Sequence, residues 1–162
     1  MRFRDCSQPF FGAAIVALFA LSSCGPKPLS TDTAAVDPGG WSQADTAHLS
    51  FEIEQADRLH NVFISLRHNE DYPFNNAYFF VQLVSPGGRT LTDTLSCPLA
   101  LEDGRWLGRP WGKWIDHKIG YKPQVQFPEA GLYELRIVHA MRRNPLPGVA
   151  SVGVDVFELS GS

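Results

Sequence analysis

Short runs with a large apolar residue at every second position constrain this chain more than any other feature. Leu49, Phe51 and Ile53 alternate with Ser50, Glu52 and Glu54, and Val62, Ile64 and Leu66 alternate with Phe63, Ser65 and Arg67. Tyr133, Leu135 and Ile137 repeat the pattern, as do Val152, Val154 and Val156. A period of two gathers one set of side chains on one face of a strand, whereas a helix needs a period near 3.6. Beyond residue 24 no stretch holds a helical period for more than a turn or two. Tyr78 to Val84 is a nearly continuous β-prone run, the pattern of a central strand covered on both faces. Turn chemistry separates the runs at 69–76, Ser85-Pro86-Gly87-Gly88, Asp103-Gly104, Pro128-Glu129-Ala130-Gly131 and 144–148. Arg105 to Tyr121 is rich in Gly and Trp and has no clean period, so it reads as a long structured loop. Seven or so short strands with Pro/Gly turns predict an all-β fold, an antiparallel β-sandwich of Ig-like or jelly-roll-like type. A single domain over residues 41–160 accounts for them.

The chain ahead of that domain is organised differently. Arg2 and Arg4 precede an apolar run from Phe10 to Leu21, which ends in Leu21-Ser22-Ser23-Cys24. A membrane span needs roughly 20 apolar residues, more than this run supplies. A basic n-region, a short h-region and small residues at its end form a signal peptide over residues 1–23. The cysteine distinguishes it from ordinary secretion, because its thiol can take a diacylglyceryl group before cleavage. Cys24 is therefore the predicted lipidation site and first mature residue. Residues 24–40 are mostly Gly, Pro, Ser, Thr, Asp and Ala and read as a flexible tether, since they offer little apolar surface to offset ordering entropy.

Charge and cysteine content narrow the function classes. The chain has 14 basic and 17 acidic residues, and removing Arg2, Arg4 and Asp5 with the leader leaves 12 and 16. A mildly acidic domain does not suit nucleic acid, which is held by a basic excess. Cys6 departs with the leader and Cys24 is committed to lipid, so Cys97 has no partner for an intramolecular disulfide. Leu95 and Leu99 flank it at alternate positions, which predicts a buried thiol.

Catalytic and metal-binding constellations are sparse. His48, His60, His68, His117 and His139 show neither HxH nor HExxH spacing, so no metal or cofactor is expected. Glu102 and Asp103 are adjacent in a turn and make a poor acid/base pair across a cleft. Asp71 to Asn76 carries several oxygens without EF-hand spacing, and Asx-turn capping explains it. The remaining candidate is a contact surface of Arg105, Trp106, Arg109, Trp111 and Trp114, because Trp and Arg are enriched where interfaces concentrate their energy. Exposed indoles there could instead stack on sugars, which would make the domain a glycan-binding envelope module. Packing of those rings against the sheet edge or core is the third outcome.

An ordered set of segments adds a resemblance. It comprises the Cys24 lipobox, Asn61 to Arg67, Asp71 to Asn76, Asp93-Thr94-Leu95, Asp103 to Gly108, Gly131-Leu132-Tyr133, Met141-Arg142 and Val149 to Gly153. In order and spacing the set resembles the GldH gliding-motility lipoproteins of Bacteroidetes and covers nearly all of Trp41 to Phe157. The resemblance implies a non-enzymatic envelope lipoprotein that serves as an assembly component of the gliding machinery, beside the type IX secretion system. Its partners would be the membrane, through lipid on Cys24, and envelope proteins. The implied location is the outer membrane, facing the periplasm.

Overall fold

The computed structural model describes residues 27–159, so Cys24 and the leader lie outside the described residues. Nine strands form there: β1 (Ser30–Ala35), β2 (Ala47–Ile53), β3 (Leu59–His68), β4 (Asn76–Val84), β5 (Thr90–Pro98), β6 (Arg109–Trp111), β7 (Trp114–Gln126), β8 (Gly131–His139) and β9 (Val149–Glu158). They build a five-stranded sheet in the order β1-β9-β3-β7-β6 and a four-stranded sheet in the order β2-β8-β4-β5. Every pairing is antiparallel. The architecture is the predicted sandwich.

The alternating trios meet between the sheets. Val62, Ile64 and Leu66 from β3 and Val152, Val154 and Val156 from β9 form one wall; Leu49, Phe51 and Ile53 from β2 and Tyr133, Leu135 and Ile137 from β8 form the other. Phe51 stacks on Tyr133 with ring centroids 5.6 Å apart and interplanar angle 8°. Phe127 packs edge-on against Phe51 at 5.8 Å. At the other end Trp41 is buried, donates its indole N–H to Asp45 O (2.7 Å) and receives the Nε2 proton of His139 at its own carbonyl (2.9 Å). Cys97 is buried and unpaired, and its desolvation pushes the thiol up to about 11.

Four details differ from the sequence expectation. Ser30 to Ala35, inside the stretch expected to be a tether, is strand β1, paired with β9 from Ser30↔Val156 to Ala35↔Ser151. Its order comes from backbone hydrogen bonds to the β9 edge and from the Asp32 carboxylate, which accepts the Ser50 N–H at 2.8 Å. A composition argument weighs apolar side chains and overlooks both. The fold therefore begins at β1 and not at Trp41. Second, Tyr78 and Phe80 are 40% and 53% exposed while Ala77, Phe79 and Val81 are buried, so β4 is covered on one face only. Third, Arg105 to Tyr121 contains β6, the hairpin turn and the first part of β7; Asp116 and Lys118 take outward-facing strand positions and His117 an inward one. Fourth, β1 and β6 bring the strands to nine. At the 69–76 turn the Asn69 side chain accepts the Asp71 N–H at 3.0 Å, the expected Asx geometry.

Candidate contact surface

The β6–β7 hairpin reverses in two residues, Gly112 and Lys113, between the paired Trp111 and Trp114. Gly112 has φ 61°, and a positive φ at the first central residue is what a type II′ hairpin turn requires. Glycine reaches that region without strain. Alternation along β7 then fixes the faces. Ile115 and His117 are buried, so Trp114, Asp116 and Lys118 point outward, and Trp111 and Arg109 follow their partners across the hairpin.

The outward indole of Trp111 is 66% exposed, and the Arg67 guanidinium carbon lies 5.2 Å from its ring centroid. Arg67 is held in turn by Asp116, its partner across β3 and β7. Nε donates to Oδ1 at 2.6 Å and Nη2 to Oδ2 at 2.8 Å, a bidentate fork. The hydrogen bonds from Arg67 hold the Asp116 carboxyl below the usual carboxylate range. Lys113 Nζ lies 4.8 Å from the centroid of the half-buried Trp114. The hairpin thus presents one free aromatic plate, a second partly covered one and the cation of Arg109, all on a strand scaffold.

Trp106 and Arg105 do not belong to that surface. Trp106 faces inward against the buried His68, with centroids 4.5 Å apart, and lies 6.2 Å from His117. Arg105 turns back to Asp103, whose carboxylate accepts its Nε–H at 2.8 Å. The three indoles therefore do not form a shared platform, and the flat three-ring sugar site is not assembled. Reading 105–121 as a loop hid the strand position of Asp116, and with it the partner of Arg67, which the alternation of Val62 to Arg67 had already placed on a strand. The signal for Asp116 was the period of two in Trp114, Asp116 and Lys118, masked by the surrounding glycines and charges.

Beneath Trp106 the imidazoles of His68 and His117 meet Nε2 to Nε2 at 3.0 Å. His68 Nδ1 lies 2.8 Å from Asn69 O, a carbonyl that can only accept, so Nδ1 carries the proton. His68 Nε2 is then a lone pair, and His117 supplies the hydrogen between the rings. Burial disfavours the charged form of both rings. Desolvation, with His68 adding to it against the opposing pull of Asp116, lowers His117 to about 4, and desolvation also lowers His68.

The sequence model of the GldH lipoprotein family matches residues 29–156. The chain belongs to the GldH lipoprotein family. The GldH match begins one residue before β1 and ends within β9, so the family region includes the strand that composition had assigned to the tether. A "Gliding motility lipoprotein GldH homolog" of Christiangramia forsetii is 27% identical over 149 residues, covering 88% of this chain and 91% of its own. The "Gliding motility lipoprotein GldH" of Flavobacterium johnsoniae is 30% identical over 142 residues, with 87% of each chain covered. Among solved structures, a family GH115 4-O-methyl-alpha-glucuronidase superposes with a TM-score of 0.44 at 14% identity, over 84% of this chain and 18% of that one. An infectious bursal disease virus structure (Gx strain) superposes at 0.38 with 12% identity, over 82% of this chain and 30% of that one. Likenesses this loose carry no functional weight for a GldH chain.

Proposed function

We propose that this GldH-family chain is a cell-envelope lipoprotein, acylated at Cys24 and held in the outer membrane facing the periplasm. It serves the gliding-motility machinery as a non-enzymatic assembly component. Family membership supports the gliding role, and the Leu21-Ser22-Ser23-Cys24 sequence supports the anchor. The protein partner meets the β6–β7 hairpin, with Trp111 as the anchor and Trp114 and Arg109 beside it. The observation that carries this reading is the exposed Trp111 ring, presented by a tight hairpin and backed by the Arg67–Asp116 fork. A rigid aromatic of this kind loses little conformational entropy on binding, and an interfacial hot spot of Trp is worth about 2 kcal/mol or more.

Trp111→Ala tests the proposal in gliding cells. The expected result is weakened partner capture and reduced gliding, with unchanged envelope abundance and thermal melting. Normal gliding in the variant would remove the hairpin from the function. Lower melting would assign the ring to packing.

A further inference from the structure

The outer face of the five-stranded sheet carries a second surface, which adjoins the hairpin contact and shares Arg67, Asp116 and Arg109 with it. Its register aligns Thr33, Gly153, Ser65 and Lys118 in one row across β1, β9, β3 and β7. The next row places Ser151 beside Arg67, Asp116 and Arg109. These rows line a trough of about 750 Å³, within the ~300–1,000 Å³ usual for ligand clefts. Gly153 keeps the floor low, because a Cβ there would stand 2.5 Å from Ser65 Oγ and 2.7 Å from Asp32 O. At one end Phe63 and Phe157 pack edge to face at 5.7 Å, with Lys118 Nζ 3.8 Å from the Phe157 centroid.

The chemistry of the lining selects an occupant. Small hydroxyls from Thr33, Ser65 and Ser151 surround a planar Arg67–Asp116 fork, a set suited to a ligand rich in hydroxyls. The fork neutralises itself, and Asp155, which accepts the Thr31 hydroxyl proton at 2.9 Å, keeps its negative charge. Arg109 and Lys118 make no ion pair among the described residues. Against Asp155 they leave the trough with one net positive charge, on a chain whose net charge is −3. An added peptide strand is disfavoured, because β9 and β3 on the floor are hydrogen-bonded on both sides and offer no free backbone edge. Nucleic acid would require more than a single net positive charge.

We propose that the trough binds an acidic oligosaccharide. The hydroxyls and the Arg67–Asp116 fork engage the sugar hydroxyls, while Lys118 and Arg109, diagonal neighbours on β7 and β6, take a carboxylate. Arg109 and the Arg67–Asp116 fork are common to this trough and the hairpin contact, and Trp111, which does not line the trough, is the residue that separates the two functions.

Calorimetry on the full lipidated chain, in a detergent without a sugar headgroup, tests it with hexagalacturonate as the probe. Cellohexaose and hexaglutamate are the comparison ligands. The expected result is saturable hexagalacturonate binding, at least about tenfold tighter than either comparison ligand. The double variant Lys118→Gln/Arg109→Gln, both positions at the surface, should fall to the cellohexaose level, and Trp111→Ala should bind normally. No saturation by the folded wild type up to about 1 mM hexagalacturonate would overturn the proposal. So would unchanged binding in the double variant, or hexaglutamate binding as tightly as the sugar.

Discussion

At the scale of single residues, burial sets the largest effects. Ile137 is fully buried between the sheets, and Ile137→Ala should cost roughly 2–5 kcal/mol through lost transfer energy and a residual cavity. Urea denaturation of the domain would measure it, and a loss below about 1 kcal/mol would mean the β8 face is not core. The His68–His117 pair makes a different prediction. Unfolded, His117 takes a proton near pH 6.5; folded, only near 4. Between those values the unfolded state binds more protons, so stability should fall as pH drops from about 6.5 towards 4 and be unaffected by this group above 6.5. The shift corresponds to roughly 3 kcal/mol for His117, and His68 acts in the same direction. His117→Gln should flatten that part of the stability–pH curve. An unchanged slope would show that the ring protonates as freely folded as unfolded.

At the scale of elements, the strands legible in the sequence were those whose buried face is a run of large aliphatics. The β3, β8 and β9 trios needed nothing beyond a period of two, because each side chain's direction is fixed by the pleat. β1 was illegible for the opposite reason. Ser30 to Ala35 buries no large side chain and is ordered by partners distant in sequence, Val156 to Ser151 on β9 and Ser50 on β2. The hairpin was half legible. Its residues were singled out for their chemistry, but Trp106, Trp111 and Trp114 were grouped as one loop, whereas Trp106 lies ahead of the hairpin, bridged to Ala100 and facing inward, and Trp111 and Trp114 take outward strand positions. Because β1 covers the β9 edge, a chain lacking residues 27–40 should melt at least ~4 °C lower, the shift produced by about 1 kcal/mol in a domain of this size. It should also self-associate through the uncovered edge. Differential scanning calorimetry with light scattering would check both, and an unchanged profile would restore this stretch to the role of a tether.

At the scale of the whole molecule, an early β1 would bring a lipid on Cys24 close to the domain. Six residues lead from Cys24 to Ser30, and at ~3.5 Å each they span at most about 20 Å. The domain would then work against the membrane surface rather than at the end of a long leash. Each buried methylene contributes about 0.8 kcal/mol, so two or three acyl chains would make the attachment essentially permanent. Cys24→Ala should leave an uncut precursor without the lipid mass, and detergent partitioning identical to the native protein would contradict acylation there. Such confinement would also raise effective concentration, so a single aromatic anchor with flanking cations would suffice for the proposed contact. The opposite sheet offers a built-in control, because Phe80 is an exposed aromatic on its outer face. Photo-crosslinking in intact gliding cells, with a crosslinking residue at position 111 in one strain and position 80 in another, compares the two faces directly. The hairpin account predicts a discrete envelope-protein adduct from position 111 and none from position 80; an adduct from position 80 with none from position 111 would contradict it.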